Sequence, residues 1–231
     1  MSEPKNPQTV LIQNKYYPNG LKEIDVWNYY QTHKGLIMKE VRLRDVVFVI
    51  VTDLNKYVIR RNLGEQKFIK LMNSNFDELM TGRTITVYSV MKHIDDIFII
   101  DIDTDNFNDA KKCTRDIYNE LTKFRMIDSL QIRFTGKTSF HIKCDLNRRE
   151  RPDQLRNIFE SYLRESGLHN QYTILPKRTQ GRPNIDLWAS NKPNGLFITL
   201  NSLSVIGLKC LELSLYDLNH FQPEHAKIIV S

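Results

Sequence analysis

Two aspartates close an apolar run: Ile97-Phe98-Ile99-Ile100 leads into Asp101-Ile102-Asp103. In a β-strand successive side chains point to opposite faces, so Asp101 and Asp103 share one face while Ile100 and Ile102 take the other. Two carboxylates two strand rises apart can bind one divalent cation or a pair of them. The plainer reading is a strand running out into an acidic turn, with the aspartates solvated or capping the next helix. Asp105 lies past the expected strand end and reads as a turn or capping residue.

A second chemical feature is Ser139-Phe140-His141-Ile142-Lys143-Cys144. As a strand it sends Phe140, Ile142 and Cys144 to a core and sets a hydroxyl, an imidazole and an ammonium in a row on the other face. With the preceding Gly136-Lys137 turn, such a row suits phosphate; an ordinary polar strand face is the alternative. The GxxxxGK[ST] frame of a Walker A loop is absent. The third feature is Asp186, flanked by Ile185 and Leu187 in Asn184-Ile185-Asp186-Leu187-Trp188. Alone it fits a turn or surface residue. Together with two carboxylates on another strand, it completes what a two-metal phosphoryl-transfer site requires.

These side chains need elements to position them. The 231 residues are 41% hydrophobic and 26% charged, ordinary for a globular protein with ample core. Apolar spacing predicts a helix over about 22–33, strands at 46–51, 57–59 and 84–90, and the acidic strand from Asp95. Ala110, Cys113, Ile117, Leu121 and Phe124 mark an amphipathic helix behind caps at 106–109. Strands follow at 132–134 and 139–146, then a second helix over about 153–166 ending at Gly167, then further strands to the C-terminus. The order predicts an α+β protein with an antiparallel sheet and helices on one face. One compact unit of two modules, about 1–94 and about 95–231, is expected. The sequence contains no 18-residue apolar span and no signal-peptide core, so an intracellular, soluble protein is expected. Cys113, Cys144 and Cys210 are far apart and form no CxxC pair, which argues against a disulfide framework or a zinc knuckle. The net charge of +6 favours a polyanionic partner.

The order Asp-x-Asp, Ser-x-His, Asp resembles the three-motif signature of the archaeo-eukaryotic primase superfamily, and most closely the polymerase domain of bacterial ligase D and its stand-alone archaeal relatives. Asn14 to Lys22 followed by Asp25-Val26-Trp27-Asn28-Tyr29-Tyr30 is similar to that family's N-terminal segment, and Arg60-Arg61 with Gly64 to Lys70 to its arginine-started aromatic loop. Leu215-Tyr216-Asp217-Leu218 through Ile229 looks like its last strand region. The resemblance implies a primase-polymerase fold: an RRM-like antiparallel sheet with helices, plus an N-terminal α/β module, over residues 1–231. It implies that Asp101, Asp103 and Asp186 hold two Mg²⁺ or Mn²⁺ ions. Ser139, His141, Lys137 and Ser202 would contact the incoming nucleotide. Lys15 and Lys22 would hold a downstream 5′-phosphate, and Arg60 and Phe68 would meet the template. The partners implied are gapped or broken DNA, ribo- or deoxyribonucleoside triphosphates, a separate ligase and an end-binding protein.

One departure stands out. Where the family carries an arginine that helps bind nucleotide, this chain has Ser204; Lys209 or Arg182 could supply the cation instead. The activity implied is template-dependent nucleotidyl transfer in gap filling or end joining. The rivals are de novo priming, a non-catalytic nucleic-acid binder on an RRM-like sheet, and a metal-dependent nuclease. The binder lacks the paired aromatics of an RNP1 motif and has no use for three carboxylates facing a polyanion.

Overall fold

The computed structural model describes residues 20–52, 57–61, 67–136, 138–176 and 182–229. The chain divides into two units. The first holds the described residues up to Val90, with Ile198–Cys210 and Pro223 onward; the second holds Met91–Phe197 and Leu211–Gln222. Against the expectation of a single boundary near residue 94, the chain returns twice to the first unit.

In chain order the first unit contains α1 (Glu23–Thr32), α2 (Lys34–Val41), β1 (Val46–Val51), β2 (Tyr57–Arg60), the single turn α3 (Phe76–Leu79) and β3 (Thr84–Val90). Its sheet runs β2-β1-β3, with β1 antiparallel to both neighbours. The unbroken Val46-Val47-Phe48-Val49-Ile50-Val51 run signals a strand covered on both faces. Val46, Phe48, Val49 and Val51 enter a core with Tyr30, Ile37, Val41, Phe76 and Val87. Tyr30 is fully buried, and its hydroxyl donates to the Ile85 carbonyl at 2.7 Å, so no polar cost is left unmet.

The second unit begins with β4 (Asp95–Asp103), α4 (Phe107–Leu121), β5 (Ile127–Phe134), β6 (Phe140–Glu150), α5 (Pro152–Glu165), β7 (Thr173–Ile174) and β8 (Asn184–Asp186). The strand β9 (Leu196–Ile198) carries the chain back to the first unit and extends that sheet beside β3; β10 (Leu211–Leu213) and α6 (Leu215–His220) follow. The six-stranded sheet is ordered β10-β5-β6-β4-β8-β7, antiparallel except for β7 and β8.

Alternation along its strands divides this sheet into two faces. Phe98, Ile100 and Ile102 of β4 and Ile142 and Cys144 of β6 share a core with Cys113, Ile117 and Leu121 of α4 and Leu155, Phe159 and Leu163 of α5. Both helices therefore cover one face, as the sequence predicts. The Phe98 and Phe159 rings stack at 4.1 Å. Asn106 caps α4, its side chain accepting from the Asn108 and Asp109 amides. Two expectations are corrected. The segment from Leu215 is a helix rather than a strand, held by the Ser214 hydroxyl accepting from the Asp217 amide. β5 begins five residues earlier than 132, at Ile127. Among the described residues no helix is long and apolar enough to cross a membrane.

Candidate active site

Alternation leaves Asp101 and Asp103 on the face of β4 away from α4 and α5. The ladder then aligns residues from four strands in one row. Arg133 of β5 pairs with His141 of β6, His141 with Asp101 of β4, and Asp101 with Asp186 of β8. Paired residues across an antiparallel ladder sit side by side on the same face. The row thus runs from cation through imidazole to two carboxylates. Two residues along, Asp103 pairs with Asn184 and accepts a 3.0 Å hydrogen bond from the Ser139 hydroxyl.

At the carboxylate end of the row, buried acceptors are only partly satisfied. Oδ1 of Asp101 is buried and accepts no hydrogen bond, although His141 Nε2 is only 3.4 Å away, off the line such a bond requires. Oδ1 of the buried Asn184 and Nδ1 of His141 likewise find no hydrogen-bond partner. Asp186 is 7% exposed, and its carboxyl is held above the ordinary range, first by burial and also by the charge of Asp101. The opposing effect is local: Asp186 Oδ1 accepts from the Trp188 and Ala189 amides, which turn the chain directly after β8. An unmet buried carboxylate oxygen beside a second, strained carboxyl fits a cation. Asp101, Asp103 and Asp186 are oxygen donors of the kind Mg²⁺ and Mn²⁺ take. Among the described residues, no three carboxylate, imidazole or thiol groups already converge tightly enough to enclose an ion.

The other predicted site residues are dispersed. Ser139 is in the site but spends its hydroxyl on Asp103. Ser202 belongs to the first unit and is fully buried; its Oγ accepts from the Val87 amide at 2.7 Å and donates to the Leu203 carbonyl, so it fastens that core instead of presenting a hydroxyl to a ligand. Lys22 precedes α1, its backbone amide held by the Asp25 carboxylate at 2.7 Å. Arg60 ends β2, and Phe68 is half-buried with the Lys67 ammonium over its ring. Lys15 and Lys137 lie outside the described residues. Ser204, at the position where an arginine was sought, is buried in a tight turn and accepts from the Leu208 amide.

Sequence reasoning missed Arg133. It is fully buried, and its Nη2 donates to Gln131 Oε1 at 2.6 Å. Its signal was present: Arg133 alternates with Ile132 and Phe134 and therefore faces away from their core. Its place opposite His141, however, depends on pairing that local sequence does not carry.

The structure is similar to that of the polymerase domain from Mycobacterium tuberculosis Ligase D in complex with DNA, with a TM-score of 0.72 and 9% sequence identity over 91% of this chain and 88% of that one. At that identity the likeness is one of fold: a mixed α+β architecture with antiparallel sheets, shared with a DNA-bound polymerase domain. No protein-family model matches the sequence, and no curated protein matches it by sequence.

Proposed function

We propose that this chain is a template-dependent nucleotidyltransferase of the primase-polymerase type, acting in gap filling or end joining. The observation that carries the reading is the row Arg133–His141–Asp101–Asp186 on the sheet face opposite α4 and α5, with a buried Asp101 carboxylate oxygen that accepts no hydrogen bond. The fold shared with a polymerase domain solved on DNA supports it.

In this reading a primer 3′-hydroxyl attacks the α-phosphorus of a nucleoside triphosphate and pyrophosphate leaves. Asp101, Asp103 and Asp186 hold the divalent ions, which supply Lewis acidity and offset the phosphate charge. His141 and Arg133 provide the cationic half of the row, where the triphosphate lies. Arg133 thereby supplies the charge sought at Ser204, since it is in register with His141. Ser139 acts as a positioning residue, fixing the rotamer of Asp103 through its hydroxyl. No protein nucleophile is required. Lys15 and Lys22 would meet the downstream 5′-phosphate and Phe68 the template bases, by stacking.

Extension of a labelled primer on gapped and on open templates, with Mn²⁺ or Mg²⁺ and each nucleotide pool, tests the reading. Template-matched addition is expected, stimulated by a 5′-phosphate across the gap and losing that stimulation when Lys15 and Lys22 are replaced. Absence of addition with every pool and both ions contradicts it.

A further inference from the structure

β8 is only three residues long, and it ends at Asp186. The next turn, fastened by Asp186 Oδ1, takes the backbone away from β4. An antiparallel ladder continued from Asp101↔Asp186 would have bonded Ile99 next, so the early end of β8 removes that partner. A buried strand edge left unpaired costs the full desolvation of its amide and carbonyl. The side chain of Asn191 fills the gap. Its Oδ1 accepts from the Ile99 amide at 2.9 Å, and its Nδ2 donates to the Ile99 carbonyl and, at 3.0 Å, to the Leu187 carbonyl. Asn191 is fully buried with every polar contact accounted for by backbone. One primary amide thus mimics a strand residue. It ties β4 two residues before Asp101 to the residue that follows Asp186.

We infer that Asn191 is a positioning residue for the carboxylate pair: its amide sets the spacing between Asp101 and Asp186 by bracing the two strands that carry them. The geometry explains why an amide is used. Only a side chain offering a donor and an acceptor in one plane can satisfy both groups of Ile99 at once, and its second N–H is left to reach Leu187. Ala at 191 leaves three backbone groups without their bonds, and the two aspartates lose their fixed separation. Ser at 191 keeps one donor and one acceptor on a shorter arm.

This inference rests on the carboxylate reading above, and the test separates the two. Mn²⁺ affinity is measured by electron paramagnetic resonance for the wild type, Asn191→Ala, Asn191→Ser and Leu163→Ala, the last a core truncation in α5 that destabilises the same unit while leaving the Asn191 hydrogen bonds in place. Asn191→Ala is expected to bind Mn²⁺ at least about tenfold more weakly, the usual effect of removing a residue that orients ligands, with Leu163→Ala within about twofold of wild type. Asn191→Ser reports the same change should the alanine variant fail to fold. Equal losses in Asn191 and Leu163 variants, or no loss at Asn191, overturn the inference. If the wild type binds no Mn²⁺, the carboxylate reading is what fails, and amide hydrogen exchange then decides the brace. Faster exchange confined to Ile99 and the β4–β8 pairs, with β5–β6 unchanged, supports it; unchanged protection at Ile99 overturns it.

Discussion

At the scale of single residues, the site is a set of buried charges whose costs are only partly met by the protein. Asp186 shows this most clearly, because burial and the charge of Asp101 both hold its carboxyl above the ordinary range. A carboxyl raised in this way binds its proton more tightly in the folded than in the unfolded chain. Stability therefore falls as pH rises from the ordinary carboxylate range through the raised value, and the full penalty is present above it. Asp186→Asn retains an acceptor for the Trp188 and Ala189 amides and removes the charge. In metal-free buffer at pH 7 this variant is expected to melt above the wild type, with the difference closing as pH falls below the carboxylate range. Thermal unfolding across pH measures it, and a wild type that melts higher at pH 7 contradicts the assignment of strain. Stability given up for function is common at sites that must hold a ligand. The aspartate pair was legible from sequence because alternation along one strand is a local property. Arg133 and Asn191 were not, since their roles depend on a register and a strand end set by distant residues.

At the scale of elements, two helices and one sheet face carry the site. α4 and α5 and strands β1, β3 and β4 read directly from the sequence, because three- and four-residue spacing or unbroken β-branched runs report burial without tertiary information. α2 did not, having only Ile37 and Val41 to bury over its eight residues. α6 escaped too, although its Ser214–Asp217 capping box was there to be read. The stack of Phe159 on Phe98 makes α5 the support under β4. Phe159→Ala removes a fully buried ring and is expected to cost about 3–5 kcal/mol in chemical denaturation. A loss below about 1 kcal/mol would mean that α5 does not brace the strand. In the loop leading to β9, a Cβ on Gly195 would meet the Ser190 carbonyl oxygen at 2.0 Å. Gly195→Ala is accordingly expected to destabilise by about 1–3 kcal/mol, the usual cost of forcing a backbone apart; an unchanged melting temperature would show that the loop yields freely.

At the scale of the whole molecule, the net charge of +6 suits the polyanionic partner that the proposed function requires. If the protein tracks a phosphate backbone, affinity for gapped duplex falls steeply with salt, the log–log slope being about −0.9 per phosphate neutralised. Fluorescence anisotropy between about 50 and 200 mM salt is expected to show more than a tenfold loss, as contact with even a few phosphates requires; a flat response would remove the electrostatic basis for nucleic-acid binding. The proposed function turns on the carboxylates of β4 as its chemical centre. It is tested most directly by single-turnover primer extension on a gapped duplex with Mn²⁺, comparing wild type with Asp101→Ala plus Asp103→Ala after both are shown to be folded. Template-matched extension by the wild type is expected, with a loss of at least about 10³-fold in the double variant, about 4 kcal/mol of transition-state stabilisation. Full activity in the folded double variant would contradict it.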